Sequence, residues 1–275
     1  MYSLSRRIAA WRLNRLLNRD PLTDDIWQRV IQKVYVLKGL SSEELAQLRE
    51  LTTLFVHQKK FYGTYELEID DYIRVAVGAQ ACLLVLNISP EWDLHIFPGW
   101  VSIILYPGPF VARHNFRDGI GVVHEQIAAL EGEASAHGPV VLSWHDARPG
   151  ASLPREGRNV VLHEFAHKLD FLTGVSNGCP PLHKGMSVKD WSNTFQKAFD
   201  HLNHLIELHH PTPFNPYAGT NPAEFFAVMT EEFFIVPHRL KDVYPGVYEQ
   251  MSLYYQQDPA SRRRRVSHIK KRFRG

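Results

Sequence analysis

The stretch VVLHEFAHKLDFL, residues 160–172, constrains the fold of this chain more than any other. On a helix, His163 and His167 share one face, with their Cβ atoms one turn apart. Val161, Leu162, Phe165, Ala166 and Leu169 make the rest of the segment apolar, so the helix belongs inside the protein. Buried imidazoles and a buried glutamate need partners, since an unpaired polar group in an apolar interior costs on the order of 2 kcal/mol. The fold must therefore bring a second element against this helix and present complementary groups to it.

Two histidines at this spacing can ligate one tetrahedral Zn²⁺. Glu164, beside His163, can then point into the site, take a proton from the attacking water and return one to a leaving amine. The competing reading is a pair of hydrogen-bonded core histidines. Asp170 lies on the same face, three residues past His167. It either accepts the free ring N–H of a ligand histidine or receives loop amides, and the sequence leaves both readings open. No third histidine follows at the HExxHxxGxxH spacing, because residue 173 is Thr. The search for a third ligand moves to NPAEFFAVMTEEFF, residues 221–234, where Glu224 and Glu231 lie seven apart on one face amid Phe and Val. Glu224, directly after Pro222-Ala223, is expected as the ligand and Glu231 as an outer partner. Glu232, on another face, is expected to be exposed or held in an ion pair.

The chain has 275 residues, 44% of them apolar, enough for one sizeable core. Its two cysteines, Cys82 and Cys179, exclude a disulfide scaffold. A net charge of +2 hides an asymmetry: residues 262–275 hold eight Lys/Arg and no acid, which leaves 23 basic against 29 acidic residues, a net of −6, for residues 1–261. That basic tail carries no nucleic-acid reading motif and only Phe273 as an aromatic, so it is expected to be a solvated end rather than a nucleic-acid contact. Residues 1–20 read as a basic amphipathic helix, with Ile8, Trp11, Leu16 and Leu17 opposite its arginines. No apolar run has signal-peptide or membrane-spanning length, and the expectation is a soluble cytoplasmic protein.

The fold class expected is α+β, mainly helical, with one main domain over 21–261. Helices are expected over 24–38, over 41–61 behind a Ser41–Glu44 capping box, and over 69–88. The first ninety residues are thus read as helical and chiefly structural. VSIILYP (101–107) and GPVVLSW (138–144) have strand character, whereas IGVVHEQIAAL (120–130) fits either strand or helix. Further helices are expected over 187–209, 221–235 and 246–256.

In HEFAHKLD (163–170), NGCPPL (177–182) and NPYAGTNPAEFFAVMTEEFF (215–234), the chain resembles the Mlc titration factor A family of zinc metallopeptidases. YPGPFV (106–111), GPVVLSW and YQQDP (255–259) extend the resemblance over most of residues 30–260. It implies a zincin-like domain, similar in arrangement to that of anthrax lethal factor. It also implies Zn²⁺ held by residues matching His163, His167 and Glu224, with Glu164 as general base. Tyr217, seven residues ahead of Glu224, matches a tyrosine that lines the site and would donate to an oxyanion; read by itself it is equally a loop aromatic beside Pro216. The resemblance further implies aminopeptidase-like activity on peptides and binding of a transcriptional repressor, Mlc. Zincins commonly pair an extended substrate with the strand ahead of the metal helix, for which PVVLSW is the expected edge. His145 departs from the family pattern and is expected to cap a turn.

Overall fold

The computed structural model describes residues 22–88, 97–108, 110–117, 123–130, 132–134, 138–149 and 157–262. The basic amphipathic segment 1–20 and tail residues 263–275 lie outside the described residues.

Helix α1, Asp24–Lys33, buries Trp27 and Val30 and is shorter than expected. Its continuation winds instead into a 3₁₀ turn, Tyr35–Leu37, with Val36 and Leu37 buried. The β-branched run around Val34 and Val36 weakens an α continuation there. Helix α2, Ser42–Gln58, opens on the expected capping box. Ser41 Oγ accepts from Glu44 N–H at 3.1 Å, and Glu44 Oε2 accepts from Ser41 N–H at 2.8 Å. Where the sequence reading carries this helix to residue 61, the chain instead forms strand β1, Lys60–Gly63. Lys59 stops the helix: its buried ammonium donates to the carbonyls of Phe97 (2.6 Å) and Trp100 (2.9 Å). The N-terminal part is therefore not purely helical. Helix α3, Asp71–Leu84, is capped by Asp70 and is buried on nearly every side, which makes it the central helix.

Strands β2, Ser102–Tyr106, and β6, Val140–Ser143, lie where expected. Between them come β3 (Phe110–Arg117), β4 (Val123–Leu130) and β5 (Gly132–Ala134). β3 and β4 form a separate antiparallel pair, which resolves residues 123–130 of the ambiguous stretch as strand. The main sheet has the order β1-β2-β6-β5, with β1, β2 and β6 parallel and β5 antiparallel to β6. This corrects the expected role of PVVLSW. β6 is an interior strand, flanked by β2 and β5, and the edge beside the helix that carries His163 and His167 is β5. A short helix α4, Trp144–Ala147, follows β6; on it His145 Nδ1 pairs with Asp146 Oδ1 at 3.0 Å, and the cap expected of His145 is instead Ser143, whose Oγ accepts from Asp146 N–H.

The C-terminal half is helical: α5 (Val160–Asp170), α6 (Val188–Glu207), α7 (Pro222–Ile235), α8 (Pro237–Val243), α9 (Pro245–Tyr255) and α10 (Pro259–Arg262). Proline opens α7, α8 and α9, where its missing N–H is no loss and its fixed φ starts the turn. Arg262, expected as the first tail residue, ends α10 and pairs with Glu44. Helices α5 and α7 pack side by side, and α3 backs α5. Phe55, Phe97 and Trp100 surround Phe165 on α5, and Trp191, Phe195 and Tyr254 surround Phe226 on α7. Among the described residues no helix is long and apolar enough to cross a membrane.

The loop after α5 locks it to the start of α7. Gly178 has φ +77°, its N–H donates to Asp170 Oδ2 at 2.8 Å, and its carbonyl accepts from Trp191 Nε1 at 2.9 Å. A Cβ on Gly178 would fall inside the van der Waals shell of the Pro222 carbonyl oxygen. Gly178→Ala thus meets both backbone strain and a collision with backbone, and is expected to destabilise the protein by roughly 2–3 kcal/mol in urea unfolding.

Candidate metal centre

Asn159 starts α5, its Oδ1 accepting from Leu162 N–H at 2.9 Å, and the helix then carries His163, Glu164 and His167 inward. Asn221 caps α7 in the same way, accepting from Glu224 N–H at 3.0 Å, so Glu224 sits in the first turn of its helix. The two caps set the two helix starts, and the side chains converge between them. Glu224 Oε2 lies 3.0 Å from His163 Nε2 and 3.4 Å from His167 Nε2, and the two imidazole nitrogens are 3.3 Å apart. Tetrahedral Zn²⁺ with bonds of about 2.0–2.1 Å requires ligand atoms about 3.3 Å apart. These three donors therefore fit a tetrahedral metal, and they form the one such group of three found among the described residues.

Glu231, two turns further along α7, reaches the other side of the His163 ring. Its Oε1 accepts from His163 Nδ1 at 2.8 Å, and its Oε2 accepts from the backbone N–H of Asn159. A carboxylate only accepts, so Nδ1 carries a proton, and Nε2, the nitrogen that meets Glu224 and His167, is the one left to bind a metal once its own proton is displaced. Glu164 is buried within the same helix. Tyr217, in the 3₁₀ turn Pro216–Gly219, has its ring centroid 6.2 Å from that of His163. The residue is 44% exposed, but its hydroxyl faces Glu224. Burial at that end, with the Glu224 charge beside it, pushes the phenol well up.

Asp170 is fully buried, and its Oδ2 accepts from Ser176 Oγ (3.0 Å) and Gly178 N–H (2.8 Å). Of its two readings, these bonds favour the loop; burial pushes its carboxyl up, and the loop hydrogen bonds oppose that shift. Glu232 is buried rather than exposed, and its Oε2 accepts from Arg239 Nε at 2.8 Å. Adjacent glutamates thus divide the work, Glu231 facing the site and Glu232 an arginine. Lys168 anchors α5 from behind, donating to Gly138 O at 2.9 Å with its ammonium 4.8 Å from the centre of the Trp100 ring. Asn159 is not singled out from the sequence, and its backbone contact with Glu231 was missed. The signal was an Asn immediately ahead of an apolar helix, but nothing local says which carboxylate its N–H meets.

Residues 8–256 match the glucose-regulated metallo-peptidase M90 family. The chain belongs to that family. Mlc titration factor A of Klebsiella pneumoniae is 32% identical over 240 residues, 86% of this chain and 88% of that protein. Its counterpart in Cronobacter sakazakii is 31% identical over 256 residues, 92% and 93% of the two chains. That of Escherichia coli O9:H4 is 31% identical over 243 residues, 88% and 89%. The resemblance read from the motifs is thereby shown, and it reaches further than they do. The match begins at residue 8, so most of the basic N-terminal segment lies within the family. A metallopeptidase family implies a metal, and the donor set present suits one.

Proton and metal compete for His163. Burial opposes its charging, but hydrogen bonds to Glu224 and Glu231 outweigh burial and raise its pKa well above the usual value. Burial likewise opposes ionisation of Glu224, yet the two histidines hold that carboxyl far below its usual range. Metal binding needs the neutral imidazole, so it displaces a proton from His163 wherever the pH lies below this raised pKa. Zinc affinity is therefore expected to climb about tenfold per pH unit from pH 6 to 7.5, as read by chelator competition.

Proposed function

We propose that this protein is a cytoplasmic zinc-dependent peptidase of aminopeptidase-like type. The observation that carries the reading is the convergence of His163, His167 and Glu224 on one point, with Glu164 between the two histidines in sequence. Those three residues would hold the ion. When bound, zinc supplies Lewis acidity that lets water attack a peptide carbonyl at neutral pH. Glu164 accepts the proton of that water and passes it to the leaving amine. The Tyr217 hydroxyl, turned toward Glu224, donates to the oxygen on which negative charge develops. Glu231 keeps His163 in one tautomer and one orientation throughout. An extended peptide would pair with β5, the sheet edge beside α5, through backbone hydrogen bonds with little side-chain selectivity.

Glu164→Gln is expected to retain zinc at wild-type stoichiometry and to lose hydrolysis of chromogenic peptide substrates by roughly 10²–10⁴-fold. Tyr217→Phe should lower kcat with little change in KM, by about 10²-fold. A Glu164→Gln protein that hydrolyses as fast as wild type would falsify the mechanism. Unchanged zinc affinity in Glu224→Ala would remove Glu224 as ligand.

The relatives' name favours a second reading, in which this chain captures an Mlc-like transcriptional repressor, with or without hydrolysis. Pull-down with Glu164→Gln separates the two. Repressor retained by the inactive protein would show capture independent of catalysis, and no retention by wild type would end this reading.

A further inference from the structure

Helix α3 is apolar through VAVGAQACLL except at Gln80, whose side chain is 2% exposed in the centre of the core. A leucine or methionine would fill that volume without burying an amide, so the amide calls for a reason. All of its bonding capacity is directed. Nε2 donates to Ala76 O within its own helix (3.0 Å) and to Ala147 O at the end of α4 (3.1 Å). Oε1 accepts from Asn159 Nδ2 at 2.7 Å. Asn159 has no freedom either: Oδ1 caps Leu162 N–H, Nδ2 meets Gln80, and its backbone N–H donates to Glu231 Oε2. Glu231 Oε1 then takes the Nδ1 proton of His163, whose Nε2 faces Glu224.

Every bond in this series has one permitted polarity. Reversing either amide would set donor against donor or leave a buried acceptor empty, and Glu231 can only accept. Gln80, Asn159 and Glu231 come from three helices, and each is less than 7% exposed. Gln80 is thus the far end of a buried relay whose near end is a metal-site imidazole. We infer that Gln80 is a positioning residue for the metal centre, acting through Asn159 and Glu231 to hold the His163 ring. The inference rests on the reading of His163, His167 and Glu224 as a zinc site. It gives the N-terminal helices a part in the site as well as in the core.

The test measures zinc affinity by chelator competition on the full chain, with circular dichroism and thermal melting to establish folding. Gln80→Met keeps the volume and removes the amide; the expected result is a folded protein that binds zinc roughly tenfold more weakly. Asn159→Ser keeps an oxygen to cap Leu162 N–H but withdraws the arm that reaches Gln80. It should show a similar loss, and the double variant should lose no more than either single one, because both cut the same relay. Additive losses, or unchanged affinity in a folded Gln80→Met protein, would overturn the relay while leaving the zinc site standing. If Gln80→Met does not fold, Asn159→Ser decides: a tenfold loss supports the relay and wild-type affinity overturns it. Failure of the wild-type chain to take up zinc would overturn the metal reading itself, and the relay with it.

Discussion

The structure is organised around a debt of solvation between α5 and α7. Two helices that are apolar along most of their length bury Glu164, His167 and Glu231 and cover most of His163 and Glu224. Ionisable groups withdrawn from water in this way are tolerable when groups of complementary character lie against them, as Glu224 and Glu231 do against His163. That requirement fixes the relative rotation of the helices about their axes, because Glu224 and Glu231 must straddle His163 from opposite sides of its ring. It also fixes their relative slide. The first turn of α7 must lie at the His163 level while Glu231 reaches the Asn159 N–H at the start of α5. Apolar packing alone would leave neither quantity so tightly defined.

The remaining elements hold this pair in place. At the far end of α5, Asp170 grips the loop through Ser176 and Gly178, and Gly178 lies against Pro222 at the start of α7. Trp191 on α6 closes on the same glycine from the other side. Behind α5, Phe165 packs against Trp100, and Lys168 reaches Gly138 just before β6, which ties the helix to the sheet. The helix pair is thus clamped at both ends and along its back. Such precision matters chemically, since a ligand or base displaced by an ångström loses much of its effect.

The helix that carries His163 and His167 was legible in the sequence because its histidines recur at helical spacing against an apolar background. Glu224 and Glu231 were legible for the same reason, as carboxylates seven apart in a run of Phe, Ala and Val. The capping box at Ser41 and the proline-led helix at Pro222 are local devices, and local devices can be read. What could not be read depends on pairing between distant segments. Strand β1 is four residues that look like the end of α2, and it exists because β2, forty residues later, offers it a parallel partner. The strand order has the same origin: PVVLSW has the composition of a strand, but only β5 folding back on it makes it interior. Glu232 was ambiguous because its partner, Arg239, lies on another helix.

Gln80 marks the boundary between those two kinds of information. In sequence it is a single polar residue in an apolar helix, a signal that something must satisfy it but not what. Its three partners lie at Ala76, Ala147 and Asn159, and two of these are brought near only by the completed fold. An isolated α3 gains little from a buried amide, and core packing alone would favour a hydrocarbon there. The amide becomes favourable once Asn159 is fixed as the cap of α5, because that cap turns the Asn159 side-chain N–H into the core, where it needs an acceptor. The polar residue in the N-terminal helix is therefore a consequence of how α5 begins. How α5 begins is in turn dictated by the need to aim His163.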